Sequence, residues 1–240
     1  MAAIEFKDVS FIMDHSDESF SNLNFSVAPG NFFVLTGLTS AAEKKFVQLL
    51  LGLKKPATGQ IFLDHFDINQ ETQRRQAFQK IGVMSQDILQ ERLTVQENIT
   101  AIGRFQKNYS KVRQEYLLKK LALAEVRKQR VNALTSFQRQ KLAFALALLH
   151  NPDIIIVEEP FEGLKDNEIQ QLIALFLTEA GQKKTIFMLV EKLTPPLEAA
   201  SEIAIAHQGR LAVSSSQADI HKTFSTLAEF YDFYTGEEVK

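Results

Sequence analysis

An apolar run, Asn31-Phe32-Phe33-Val34-Leu35, leads into Thr36-Gly37-Leu38-Thr39-Ser40-Ala41-Ala42-Glu43-Lys44-Lys45, and a helical pattern follows from Phe46 to Leu53. The order strand, G-x-x-x-x-G-K-[S/T], helix is that of a phosphate-binding loop. Its glycines let backbone N–H groups wrap phosphate, its lysine neutralises charge, and its hydroxyl holds Mg²⁺. Here only the first glycine, Gly37, is kept. Ala42 takes the second glycine's place, Glu43 the lysine's and Lys44 that of the hydroxyl. Alanine narrows the backbone's freedom where glycine would be permissive. A unit charge pair at ~4 Å in an effective dielectric of ~20 is worth about 4 kcal/mol, so reversing the lysine's sign removes up to roughly 8 kcal/mol. A ligand bound between millimolar and micromolar has only about 4 to 8 kcal/mol to lose. Lys44 and Lys45 are expected as surface lysines on a solvated helix face.

Three further sets of residues carry chemistry. Glu158 and Glu159 follow the apolar run Ile154-Ile155-Ile156-Val157 as two adjacent carboxylates. Gln86 follows the strand-like Ile81-Gly82-Val83-Met84. Thr135, Ser136 and Phe137 open a helical pattern that continues through Leu142, Ala145, Leu146 and Leu149.

The elements that would position them read as α/β. Strand-like segments run from Ile4 to Val9, Leu23 to Val27, Phe32 to Leu35 and Gln60 to Leu63, with turn signals at Ala28-Pro29-Gly30 and Ala57-Thr58-Gly59. Continuous apolar strands follow at 81–84, 154–157 and 186–190, with an amphipathic helix from about Asn167 to Ala180. Short apolar runs alternating with helices predict a mostly parallel sheet covered on both faces. Residues of about 88–150 read as a helical insertion, and about 214–240 as one or two small helices with a charged tail, in a single domain of 1–240.

Bulk properties narrow the function. Hydrophobic content of 45% with 23% charged residues is that of an ordinary globular chain, and a net charge of −2 argues against a general nucleic-acid binder. The absence of cysteine removes disulfides and thiolate chemistry and suits a reducing cytosol. The start, Met1-Ala2-Ala3-Ile4-Glu5, does not resemble a signal peptide. No apolar stretch is long enough to span a bilayer, so any membrane role is expected to be peripheral.

Five ordered blocks resemble the nucleotide-binding subunit of ABC transporters: 35–61 around the loop, Ile81 to Asp87 as the Q-loop segment, Leu93 to Ile99, Asn132 to Lys141 where the LSGGQ signature opens a helix, and Asn151 to Pro160 as the Walker B strand. The resemblance implies an ABC-type P-loop fold with an N-terminal antiparallel β region. It also assigns roles. Gly37, Thr39, Ser40, Ala42, Glu43, Lys44 and Lys45 form the phosphate loop, and Gln86 links nucleotide to a transmembrane partner. Thr135, Ser136 and Phe137 form the signature, with Thr135 as a substitute hydroxyl. Glu158 takes the metal-linked position, Glu159 the general-base position and Glu191 that of the switch histidine. Lys165 replaces the aspartate of the D-loop, and the aromatic that stacks on adenine finds no clear counterpart near Phe11 to Met13.

With both the loop and the signature altered, the resemblance implies a degenerate member. It would be a non-hydrolysing structural or regulatory subunit docked on an integral membrane permease, with a second ABC subunit as a further partner. It would be cytoplasmic, peripheral at the membrane, and need no cofactor. The first alternative is an ATPase with unusual motifs that binds ATP and Mg²⁺ and uses Glu159 as base. The second is a binder of a cation or another ligand in the remodelled pocket, between Glu43, Glu158 and Glu159.

Overall fold

The computed structural model describes residues 2–12, 19–106, 109–191, 193 and 195–236. Two sheets share the chain. In the first, β1 (Ile4–Ile12), β2 (Ser19–Val27), β4 (Thr58–Leu63) and β5 (Phe66–Asp67) are antiparallel in the order β2-β1-β4-β5. The second contains β3 (Phe32–Thr36), β6 (Ile81–Met84), β7 (Ile154–Glu158), β8 (Thr185–Val190), β9 (Glu202–His207) and β10 (Arg210–Ser216). Its order is β10-β9-β3-β8-β7-β6, parallel except for the β9–β10 hairpin at one edge.

Alternation along the central strands divides the core into two layers. Phe32 and Val34, Ile155 and Val157, and Ile186 and Met188 face one layer, while Phe33 and Leu35, Ile154 and Ile156, and Phe187 and Leu189 face the other. The first layer is covered by α3 (Val95–Gly103), α4 (Lys111–Lys120), α5 (Ser136–Ala147), α6 (Asp166–Gly181) and, at the end of the described chain, α8 (Leu227–Thr235). Leu117, Leu118, Leu121 and Leu123, which the sequence places at roughly helical spacing, are all buried there. The second layer holds α1 (Ser40–Leu50) against the antiparallel sheet. Aromatic rings fill it: Phe46 of α1 meets Phe6, Phe11, Phe25 and Phe187 at centroid distances of 5.1 to 6.4 Å. Two short helices each add one buried side chain: Ala77 of α2 (Glu71–Ala77) joins the second layer and Ile220 of α7 (Gln217–Thr223) the first.

The expected α/β arrangement, with a mostly parallel sheet and an antiparallel N-terminal region, is present. Three features differ from the sequence reading. The β9–β10 hairpin and α2 have no counterpart in it. Residues 214–216, expected to begin the terminal helices, complete β10 instead. The charged tail, 237–240, lies outside the described residues, as does Met13.

Candidate functional site

The C-terminal ends of β3, β7 and β8 lie side by side, because these strands are parallel neighbours in register. Each delivers its following residues to one end of the sheet, the usual ligand position of an open α/β sheet. Gly37 makes the turn after β3 with φ of +83°, and a Cβ there would stand 2.1 Å from the Ala206 carbonyl oxygen, so only glycine fits. Thr39 then caps α1, its hydroxyl accepting the Ala42 N–H at 3.3 Å, and its carbonyl accepts the Glu43 N–H at 2.9 Å. The helix thus begins at Ser40. Ser40 to Ala42, which the motif would use as phosphate-wrapping loop, already form its first turn. Two amides that would face phosphate are committed within the chain.

Glu43 points inward from this turn and is fully buried. No donor reaches either carboxyl oxygen. Its hydrogen-bonding neighbour is the carboxylate of Glu159, itself an acceptor, so the contact is satisfied only when Glu43 carries a proton and donates it. Burial, followed by that hydrogen bond and the charges of Glu159, Glu158 and Glu191, pushes its pKa up to about 10. The upper figure of roughly 8 kcal/mol for sign reversal is therefore corrected: a neutral Glu43 forfeits the lysine's attraction but adds little repulsion. Lys44 is exposed and lies 3.5 Å from Asp87. Lys45, expected on the solvated face, is instead buried, because that face of α1 packs into the molecule.

Glu158 ends β7 and Glu159 follows it. Glu159 has φ of +41°, and its Oε1 accepts the Glu191 N–H at 2.9 Å, which ties the ends of β7 and β8 together. The Gln140 side chain of α5 donates to the Glu159 carbonyl at 3.4 Å. A cleft of about 360 Å³ opens here, lined by Ser40, Glu43, Lys44, Ser85, Gln86, Asp87, Glu158, Glu159, Glu162 and Glu191. Asp87, Glu162 and Ser85 were not singled out from the sequence. The first and last adjoin Gln86, and Glu162 lies just past the Glu159-Pro160 turn. Gly37, Thr39 and Ala42 face a separate cavity of about 280 Å³, with Ser19, Phe20, Gln208 and Gly209. The remodelled turn stands between the two spaces.

Thr135, Ser136 and Phe137 line neither space. The Thr135 hydroxyl, expected as a substitute for the signature serine, accepts the Gln138 N–H at 3.2 Å in a capping box at the start of α5. Phe137 packs against the first core layer, with the Lys141 ammonium 4.6 Å from its ring centroid. Lys165 caps α6, its N–H donating to Glu168. Phe11 is buried against Phe20 and Phe46 and is not free to stack on a base. Among the described residues, no three acids or histidines gather closely enough to hold a metal ion, which counts against the cation alternative in its metal form.

One consequence is measurable in the native state. Glu43 is ordinary in the unfolded chain, with a pKa near 4.5, and raised when folded. Its stabilising contribution is complete below pH ~4.5 and declines at about 1.4 kcal/mol per pH unit as pH rises toward 10. Glu43→Gln is expected to gain up to about 3.5 kcal/mol over the native chain at pH 7, and almost nothing near pH 4.5. Urea unfolding from pH 5 to 9 measures this; a difference that does not grow with pH would contradict a protonated Glu43.

The family profile described as ABC transporter matches residues 20–162. The phosphonates import ATP-binding protein PhnC 2 of a Synechococcus strain is 28% identical, over 75% of this chain and 72% of its own length. The bacitracin transport ATP-binding protein BcrA of Bacillus licheniformis is 27% identical, over 82% and 64%. An uncharacterized ABC transporter ATP-binding protein of Mycobacterium tuberculosis reaches 30%, over 74% and 72%. Among solved structures, cbiO1 of Clostridium perfringens, described as part of the ABC transporter complex cbiONQ, superposes with a TM-score of 0.81 at 14% identity, covering 97% of this chain and 95% of that one. The cassette MJ0796 bound to ADP and Pi gives 0.78 at 20% identity, over 89% and 98%. A profile spanning more than half the chain, together with the cassette fold of the solved structures, leads to one conclusion: this chain belongs to the ABC transporter ATP-binding family.

Proposed function

We propose that this chain is an ABC-type subunit that docks on an integral membrane permease and serves it structurally or as a regulator, without driving it by ATP hydrolysis. What supports this reading is Glu43, the residue that the motif alignment sets at the phosphate-lysine position, buried in the first turn of α1. On this reading neither ATP nor Mg²⁺ is a required cofactor, and Glu159 has no triphosphate against which to activate water.

The permease partner is supported by a second feature. An apolar groove of about 330 Å³ lies between α3, α5 and β6, where Leu53 and Phe78 are exposed beside Val83, Ile88 and Ile102. An amphipathic helix laid across it would cover these side chains. Among the described residues no helix is long and apolar enough to cross a membrane, so attachment would come through the partner, at the cytoplasmic face. A second ABC subunit in the same complex is compatible with this placement.

The relatives favour a second reading, in which the chain binds Mg-ATP and hydrolyses it with Glu159 as base, since those quoted above are named as ATP-binding proteins or cassettes. Steady-state phosphate release from the purified chain, compared with Glu159→Gln, separates the two. The first reading expects equal, background release from both. Turnover that disappears in Glu159→Gln would establish the second.

A further inference from the structure

The charge of the chain is sharply divided. Residues 88–150, the stretch that carries α3, α4 and α5, hold twelve lysines and arginines against four glutamates. The rest holds fifteen against twenty-five aspartates and glutamates, so a net charge of −2 conceals a basic helical layer on an acidic body. Where α3 ends and α4 begins, this layer also exposes large apolar side chains. Phe105 is 90% exposed and Val112 81%, and Tyr116 is exposed one turn beyond Val112 on the same face of α4. Neither Phe105 nor Val112 lines the groove or the clefts described above.

Tyr109 fixes this corner. A Cβ on Gly103, the last residue of α3, would stand 2.4 Å from the Tyr109 ring, so glycine there lets the ring pack on the helix end. The Tyr109 hydroxyl donates to Gln114 of α4. The end of α3 and the start of α4 are thereby drawn together, with Phe105 and Val112 on either side of the link in the chain. Arg104 and Lys111 adjoin them, and Lys119 follows Val112 by two turns of α4. These three cations are exposed and form no ion pair among the described residues. The acids that meet α4 are already held, Glu115 by Arg127 and Glu179 by Lys120.

We propose that this corner is a contact surface for a bilayer bearing anionic headgroups, with Phe105 and Val112 entering the interface and Arg104, Lys111 and Lys119 facing the headgroups. Apolar side chains flanked by basic ones are the pattern of an interfacial segment. An acidic protein would satisfy the charges, but it would need a recess matched to two side chains that protrude this far. A fluid interface deforms around them. A nucleic acid would use the cations and the Phe105 ring and leave Val112 in water. Each cation close to an anionic surface adds about fivefold to binding, and salt at 0.15 M confines that effect to about 8 Å. Ile102 and Gln106, on either side of Phe105 in the chain, line the apolar groove assigned above to the permease. The corner therefore stands at the rim of that groove, and one orientation of the chain presents both to a membrane. Lipid contact goes beyond the subunit role proposed above and needs neither permease nor nucleotide.

The test is sedimentation of the purified chain with vesicles of phosphatidylcholine alone, or of phosphatidylcholine with an equal part of phosphatidylglycerol, at low and high salt. Binding is expected to the anionic vesicles only, and to weaken as salt rises. Lys111→Glu with Lys119→Glu is expected to reduce it by about twentyfold or more. Phe105→Ser with Val112→Ser is expected to reduce it by about tenfold. All four positions are exposed, so the variants are expected to keep the native circular dichroism. The chain contains no tryptophan, so Phe105→Trp supplies a single reporter. Its emission is expected to shift to the blue on anionic vesicles and to be quenched by lipids brominated on their acyl chains. A poly-glutamate peptide is titrated against the same variant. Equal sedimentation with both vesicles, undiminished binding by the folded serine variant or an unshifted emission in lipid would each overturn the inference. So would an emission shift given by poly-glutamate and not by vesicles, which would assign the corner to an acidic protein. With neither permease nor nucleotide in the assay, such results would leave the proposed function standing.

Discussion

Mg-ATP titrated into the purified chain to several millimolar is expected to give no saturable binding. A variant carrying Ala42→Gly, Glu43→Lys and Lys44→Ser is expected to bind about a thousandfold more tightly than the native chain. The missing lysine sets this figure. One ammonium–phosphate pair near ~4 Å contributes about 4 kcal/mol at an effective dielectric of about 20, which is about three powers of ten in affinity. The protonated state of Glu43 matters to the size of the loss. Were Glu43 ionised, repulsion would add to it; neutral, it leaves a deficit close to the lysine's own contribution. The helix start deepens the deficit, since the Ala42 and Glu43 amides are held by Thr39 and are not presented to a ligand. In the variant, the introduced glycine would loosen that turn, the introduced lysine would restore the charge and the introduced serine the metal-facing hydroxyl. Isothermal calorimetry on both proteins measures the difference. Native binding near one equivalent at sub-millimolar Mg-ATP would show that the altered turn still opens around phosphate. The ATPase reading would then displace the one proposed here.

Part of this site was legible because the motif blocks are colinear: the match on both sides of Gly37 leaves no room to slide Lys44 into the lysine position, and Glu43 does line the cleft at the strand ends. The early start of α1 was also written in the chain, as a capping threonine followed by Ser40, Ala41, Ala42 and an acid in the first turn, a strong helix opening. Reading those residues against a loop template concealed it. Burial of Lys45 had no local signal, since which face of α1 turns inward is set by the phenylalanines it meets from distant strands. The β9–β10 hairpin was missed for a different reason. Its two-residue turn, Gln208-Gly209, has positive φ at both positions, 48° and 73°, and glutamine is a weak advertisement for a turn usually marked by asparagine or aspartate. Asp87 and Glu162 join the cleft through the parallel register of β6, β7 and β8, a long-range property that spacing along the chain does not report.

Phe46→Ala is expected to destabilise the chain by about 3 to 5 kcal/mol, the usual cost of deleting a fully buried aromatic ring. Phe46 is 1% exposed and is the ring through which α1 holds two sheets at once: Phe6 and Phe11 belong to β1, Phe25 to β2 and Phe187 to β8. Its removal leaves a void on several sides, because the surrounding rings are carried by separate strands and cannot all close on it. Against a total stability of about 5 to 15 kcal/mol this is a large fraction. For a chain of this size it corresponds to a fall in melting temperature of roughly 6 to 20 °C. The effect should also reach the cleft. Glu43 sits one turn before Phe46 on the inward side of the same helix, and its neutral state depends first on burial. Loosening that turn admits water and lowers its pKa, so the pH dependence of stability in Phe46→Ala should be shallower than in the native chain. Urea unfolding of Phe46→Ala and Phe46→Leu at pH 5 and pH 9 measures both effects. A loss below about 1 kcal/mol for the alanine variant would mean that α1 is not the link between the sheets. A large loss with an unchanged pH slope would mean that Glu43 is held by Glu159 and the strand ends alone, and that the cleft keeps its shape independently of the aromatic layer beneath it.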